Sequence, residues 1–189
     1  MTVVPYSINY REVWDEFVKT SKNGTFLIQR GFMDYHANRF LDCSVLILDG
    51  SGIMDEERSA LQDVDSVKAV FPANWVEEEH CVYSHQGLTY GGQIVREDVT
   101  QKEMLQMMQL IFLYYENYLR AVRIVYKPIP YIYSAYPSGE DLYALFRAGG
   151  QLSRRLVSTV VDQRHPLRIR TLRLRQSRKA VDHGFYIDR

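Results

Sequence analysis

The residues best suited to chemistry lie in one run: Val82-Tyr83-Ser84-His85-Gln86-Gly87-Leu88-Thr89-Tyr90-Gly91-Gly92. Val82 and Tyr83 suit a pleated strand. His85, Gln86, Thr89 and Tyr90 then interleave with three glycines. Glycine admits positive φ and lets another group approach the main chain closely. The run reads either as a strand that opens beside a ligand, or as a bulge and turn whose polar groups satisfy one another. His85 has the only side chain here that exchanges a proton near neutrality, at an ordinary pKa of about 6.5. A second group follows at 127–133, Lys-Pro-Ile-Pro-Tyr-Ile-Tyr. Its prolines impose extended geometry, and ligand groups gather at strand ends in open α/β sheets. Lys127, Tyr131 and Tyr133 are therefore binding candidates, against the alternative of packed tyrosines and a solvated lysine. The sequence shows no Ser/His/Asp order, no paired metal ligands and no phosphate loop.

The elements that must position these residues can be read from periodicity. Asn9 to Thr20 predicts a helix with Val13, Trp14, Phe17 and Val18 on one face, stopped at Asn23-Gly24. Gly31 to Phe40 predicts a second, short helix. Ser44 to Leu48 is a continuous apolar run, as in a strand covered on both faces. Asp55 to Asp65 reads as a solvated surface excursion. Ser66 to Val76 predicts a strand with Pro72 at an edge or bulge; Glu77-Glu78-Glu79 turns it into a hairpin whose second arm starts at Cys81. Thr100-Gln101-Lys102-Glu103 is a capping box, opening a helix to about Arg120 with an apolar stripe of Met104, Met107, Met108, Ile111, Tyr115 and Tyr118. Ala121 to Tyr126 predicts a strand. Ser138 to Ala148 predicts a short helix capped by Ser138, and Gln151 to Val161 a further strand. Pro166 to Gly184 fits a helix with Pro166 in its first turn, although the alternation Leu167-Arg168-Ile169-Arg170 suits a strand equally.

Composition narrows the class. Of 189 residues 46% are hydrophobic and 13% aromatic, enough for a packed core. No apolar run reaches membrane-spanning length, and the start lacks the pattern of a signal peptide, so a cytoplasmic location is the default expectation. Cys43 and Cys81 form neither a disulfide framework nor a metal site, and are expected as reduced core residues. Net charge is zero, yet residues 151–189 hold ten Lys+Arg and three Asp, a balance of +7, which leaves −7 in the first 150. The basic segment suits either a nucleic acid, tRNA being the natural candidate, or docking within the protein, on the acidic body or on a further domain; the neutral whole chain argues for the latter.

The runs Ser84–Gly92 and Lys127–Tyr133 resemble the bacterial FemAB-like group within the GNAT acyltransferase superfamily, as do Phe71-Pro72-Ala73-Asn74, Tyr143-Ala144-Leu145-Phe146 and Arg175-Gln176-Ser177-Arg178-Lys179-Ala180. The resemblance implies a GNAT-like α/β domain over residues 1–162, with a mixed, partly antiparallel sheet flanked by helices. Residues 163–189 would be a basic helical segment where a second GNAT-type domain begins. It implies acyl or aminoacyl transfer to an amine of a sugar or peptide in cell-wall or surface-polysaccharide chemistry, from acyl-coenzyme A or aminoacyl-tRNA, without a metal. His85 would then accept the amine proton, Gln86 donate to substrate oxygens, Tyr90, Tyr131 and Tyr133 stack on a sugar, and Lys127 meet an acidic group. Two features depart from the group: Gln86 is followed by glycines at the wrong offsets for a pyrophosphate loop, and Glu97 and Asp98 precede the long helix. The alternatives are a non-catalytic domain that binds the acceptor and a tRNA- or nucleic-acid-binding module that uses the Arg-rich tail; a second GNAT-type domain or a homo-oligomer is the expected protein partner.

Overall fold

The computed structural model describes residues 1–50, 64–157, 159–160, 162–166 and 168–185. The excursion expected over Asp55–Asp65 lies almost wholly outside them. The chain forms two compact units, Met1–Gln151 and Leu152–Arg189.

The first unit is mixed α/β with two four-stranded sheets. One is antiparallel, in the order β1 (Thr2–Pro5), β3 (Val45–Leu48), β4 (Val67–Phe71), β7 (Ile94–Val95). The other runs β2 (Leu41–Asp42), β5 (Asn74–Val76), β6 (Cys81–Tyr83), β8 (Arg123–Val125); β6 pairs parallel to β8 and the remaining pairs are antiparallel. Among the described strands the chain changes sheet five times: β1 to β2, β2 to β3, β4 to β5, β6 to β7, and β7 to β8. The stretch 66–76, expected as one strand, is thus two. Pro72, which has no N–H to give a ladder, sits at the crossing.

The apolar run Val45–Leu48 is buried throughout, because both faces of its sheet are covered. Val45 and Ile47 face the core of α3 (Gln101–Leu119), with Met104, Met107, Met108, Ile111 and Tyr115. Leu46 and Leu48 face α1 (Arg11–Thr20), with Trp14, Phe17 and Val18. Side chains that alternate across a strand dictate this division. Tyr118 leaves the predicted stripe and is exposed. The second helix is one turn, α2 (Arg30–Met33), followed by a 3-10 turn over Asp34–His36. The helix α4 (Glu140–Arg147) starts after Gly139, without a side-chain cap; the Ser138 hydroxyl donates to Glu140 instead.

In the second unit α5 (Thr171–Asp182) begins five residues beyond Pro166 and ends before Gly184, whose φ is 84°. The strand expected over Gln151–Val161 is not formed among the described residues. Leu152, Leu156 and Val157 are exposed there, and β-propensity without a partner strand makes no ladder.

Candidate functional site

The glycine-rich run closes into a loop between β6 and β7. Ser84 continues the parallel pair by donating its N–H to Val125 O at 2.9 Å, and its hydroxyl accepts from Lys127 N at 2.7 Å. Gly91 N donates to Lys127 O at 3.0 Å, so the loop closes on the strand that leaves β8. A Cβ on Gly91 would stand 2.1 Å from Ser84 O; one on Gly92, at φ 80°, would stand 2.7 Å from the Tyr126 ring. These glycines serve closure and close approach.

The polar side chains of the loop take separate directions. His85 adopts φ 62°, is buried, and packs edge-on against Phe40 at 5.4 Å. Gln86 forms a reciprocal pair with buried Asn74: its N–H donates to Asn74 Oδ1 at 2.7 Å and its Oε1 accepts from Asn74 Nδ2 at 2.9 Å. Tyr90 donates to Thr25 Oγ1 at 3.2 Å and meets Tyr133 with ring centroids 5.2 Å apart. Lys127 Nζ donates to Leu88 O, and burial pushes its ammonium pKa down. His85 and Gln86 therefore hold the loop. Tyr90 and Lys127 support a second surface that carries Tyr133 (48% exposed) and Tyr131 (70% exposed) on a 3-10 turn over Tyr131–Tyr133.

Tyr131 borders a shallow depression of about 600 Å³ with Gln101, Pro137, Ser138, Glu140 and Leu142. Beneath it lies polar machinery invisible in the sequence pattern. Lys22, buried to 3% exposure, reaches Glu140 at 2.7 Å and lies 5.0 Å from the Tyr136 ring centroid. Burial pushes the Glu140 carboxyl up, but the Lys22 ammonium and the Ser138 hydroxyl outweigh it and hold it at about 2. Tyr126 donates to Asp141 Oδ2 at 2.9 Å and accepts from Gln93 N at 2.8 Å. Burial raises both the Tyr126 phenol and the Asp141 carboxyl. No periodicity marks Lys22, Gln93 or Glu140; separations in sequence as large as that from Lys22 to Glu140 leave no local signal.

The N-terminus of α3 carries the predicted capping box. Thr100 N donates to Glu103 Oε2 at 2.8 Å, and Glu103 N donates to Thr100 Oγ1 at 3.3 Å. Lys68 Nζ stands 2.9 Å from Glu103 and 3.6 Å from Asp98, and Arg96 holds Asp98 at 2.7 Å. The Thr100 amide first, then Lys68, holds the Glu103 carboxyl at about 2. A pyrophosphate needs open amides and free cations. Here carboxylates already occupy the helix end and its two neighbouring cations, so these residues do not fit a coenzyme A pyrophosphate. Among the described residues no group of three His, Cys, Asp or Glu side chains converges as a metal site would require. Cys43 and Cys81 are unbonded thiols, Cys81 buried.

No protein-family model matches this chain, and no curated protein or solved structure does either.

Proposed function

We propose that the chain is the acceptor-binding part of an N-acyltransferase similar to the FemAB-like group, presenting an amine-bearing sugar or peptide for acylation. The observation that carries this reading is the surface beside the end of β8. Exposed Tyr131 borders a depression that also holds Gln101, Ser138 and Glu140, and exposed Tyr133 shares its 3-10 turn. Aromatic faces with a few convergent polar groups suit a hydroxyl-rich ligand. The Glu140 carboxylate stays ionised at every working pH and accepts hydrogen bonds; Gln101 and Ser138 add an amide and a hydroxyl. Lys22 cancels the Glu140 charge, which favours an uncharged face of the acceptor over a bare cation. The carboxylates at the start of α3 favour the non-catalytic form of this reading, in which the acyl donor is held elsewhere.

The test is saturation-transfer NMR of the full chain with glucosamine and with a short lysine peptide, beside an assay of acyl transfer from radiolabelled acetyl-coenzyme A. Expected is binding of one acceptor, weakened about fivefold by Tyr131→Ala, since a stacking contact contributes on the order of 1 kcal/mol. Labelled product would show that the chain is itself the enzyme. No binding of either acceptor would overturn the reading.

A further inference from the structure

From the second unit we infer that residues 152–185 form a docking segment for an anionic lipid surface. This segment holds nine Lys+Arg and two Asp, a balance of +7. Every described side chain in it is exposed except that of Ala180. Among the segment's own described residues none of the nine cations pairs with a carboxylate; its one ion pair is His165 with Asp162, and the Arg173 side chain meets Gln176. A run of cations with no partners of its own is electrostatically complementary to a dense anionic surface. Eight of the nine are arginine, whose planar fork fits phosphate oxygens better than an ammonium does.

What lies between the arginines decides the kind of anion. Leu156, Val157, Ile169, Leu172 and Val181 are exposed aliphatic side chains, and Phe185 is the segment's one described Phe, Tyr or Trp. Single-stranded nucleic acid is gripped by several aromatic platforms on which successive bases stack, and among its described residues this segment offers only Phe185, at its end. Aliphatic groups among cations enter the interface between headgroups and acyl chains, while arginine stems lie along it with their charges outward. At about 100° per residue, Leu172 lies on one side of α5 and Leu174 and Val181 on the other. The helix has no single apolar stripe, so binding is shallow, dominated by charge and sensitive to salt. This inference does not depend on the acyl-transfer reading; either can fail alone.

The experiment is co-sedimentation of the full chain with phosphatidylcholine vesicles, with and without about 30 mol% phosphatidylglycerol, at about 50 mM salt and again at about 500 mM. Expected is binding to the anionic vesicles only, at least about tenfold weaker at the higher salt. The variant R173E/R175E/R178E/K179E should lose about tenfold or more, and L172S/V181S/F185S about threefold. All these positions are exposed, so the substitutions leave the first unit's core untouched. No vesicle binding at low salt, or binding unchanged in the charge-reversed variant, overturns the inference. So does filter retention of homopolymeric RNA under conditions where vesicles are not bound, which would make the partner a nucleic acid.

Discussion

Gln93 is a side chain with an unanswered cost. Its main chain is fully engaged, N to the Tyr126 hydroxyl and O to Asn23 Nδ2, yet both atoms of its buried side-chain amide lack a hydrogen-bond partner. An unpartnered buried polar group costs about 1–3 kcal/mol. Gln93→Met keeps the length and removes both polar atoms, so it should raise the unfolding free energy by about 1 kcal/mol. Urea denaturation reads this directly, and a loss of similar size would show that the amide has a stabilising role. Gly92 offers the opposite case. Its φ of 80° and the Tyr126 ring 2.7 Å from a built Cβ leave no room for a side chain. Gly92→Ala should cost about 2–4 kcal/mol by the same measurement; a neutral result would mean that the ring moves aside freely. At this scale the loop was only partly legible in the sequence. Its glycines were legible as close approach, but the partners that consume Gln86 and Lys127 are Asn74 and the Leu88 carbonyl, and nothing local announces either.

Elements declared by their own chemistry were legible, whereas those that exist through a partner were not. The capping box at Thr100 and the methionine stripe of α3 are contained within the helix. The two-residue strands β2 and β7 are defined only by β5 and β4 beside them, and the crossing at Pro72 appears in sequence as a mere bulge. The strand expected near residue 156 failed for want of a neighbour. The carboxyls that fix the starts of α3 and α4 also set a pH dependence. Glu103 and Glu140 both titrate at about 2 when folded, against about 4.3 in an unfolded chain. Their stabilisation is therefore complete above that unfolded value and is lost as pH falls through the folded one. The melting temperature should drop as pH falls from about 4.5 toward about 2. Glu103→Gln should flatten part of that slope and cost about 1 kcal/mol at neutral pH, since it weakens the cap and releases Lys68. An acid slope identical to that of the unsubstituted chain would remove Glu103 from the account.

For the whole molecule, the boundary expected between residues 162 and 163 is not where the compact units divide. Charge separates an acidic body from a basic segment near residue 150, and the compact units divide between Gln151 and Leu152. What charge could not reveal is how unequally the apolar burial is shared. Every buried hydrophobic side chain among the described residues, from Val4 to Ala144, belongs to the first unit, and all but Cys81 and Tyr90 fall in two clusters, which share out the two faces of the antiparallel sheet. The second unit has α5, twelve residues long, with no buried side chain. Cooperative unfolding requires a core whose members lose their contacts together, and a helix of about twelve residues without packing is marginal in water. A chain of residues 1–151 should therefore melt in one cooperative transition, followed by near-ultraviolet circular dichroism of its buried Trp14 and Tyr115. A peptide of residues 152–189 should show little helix in plain buffer and gain helix with anionic vesicles, where the surface supplies the contacts that the peptide lacks. Gradual melting of the 1–151 chain would mean that its two clusters are not sufficient for a cooperative fold. A stable helix in the isolated peptide would mean that residues 152–185 hold their structure through local propensity, with no need of a covering surface.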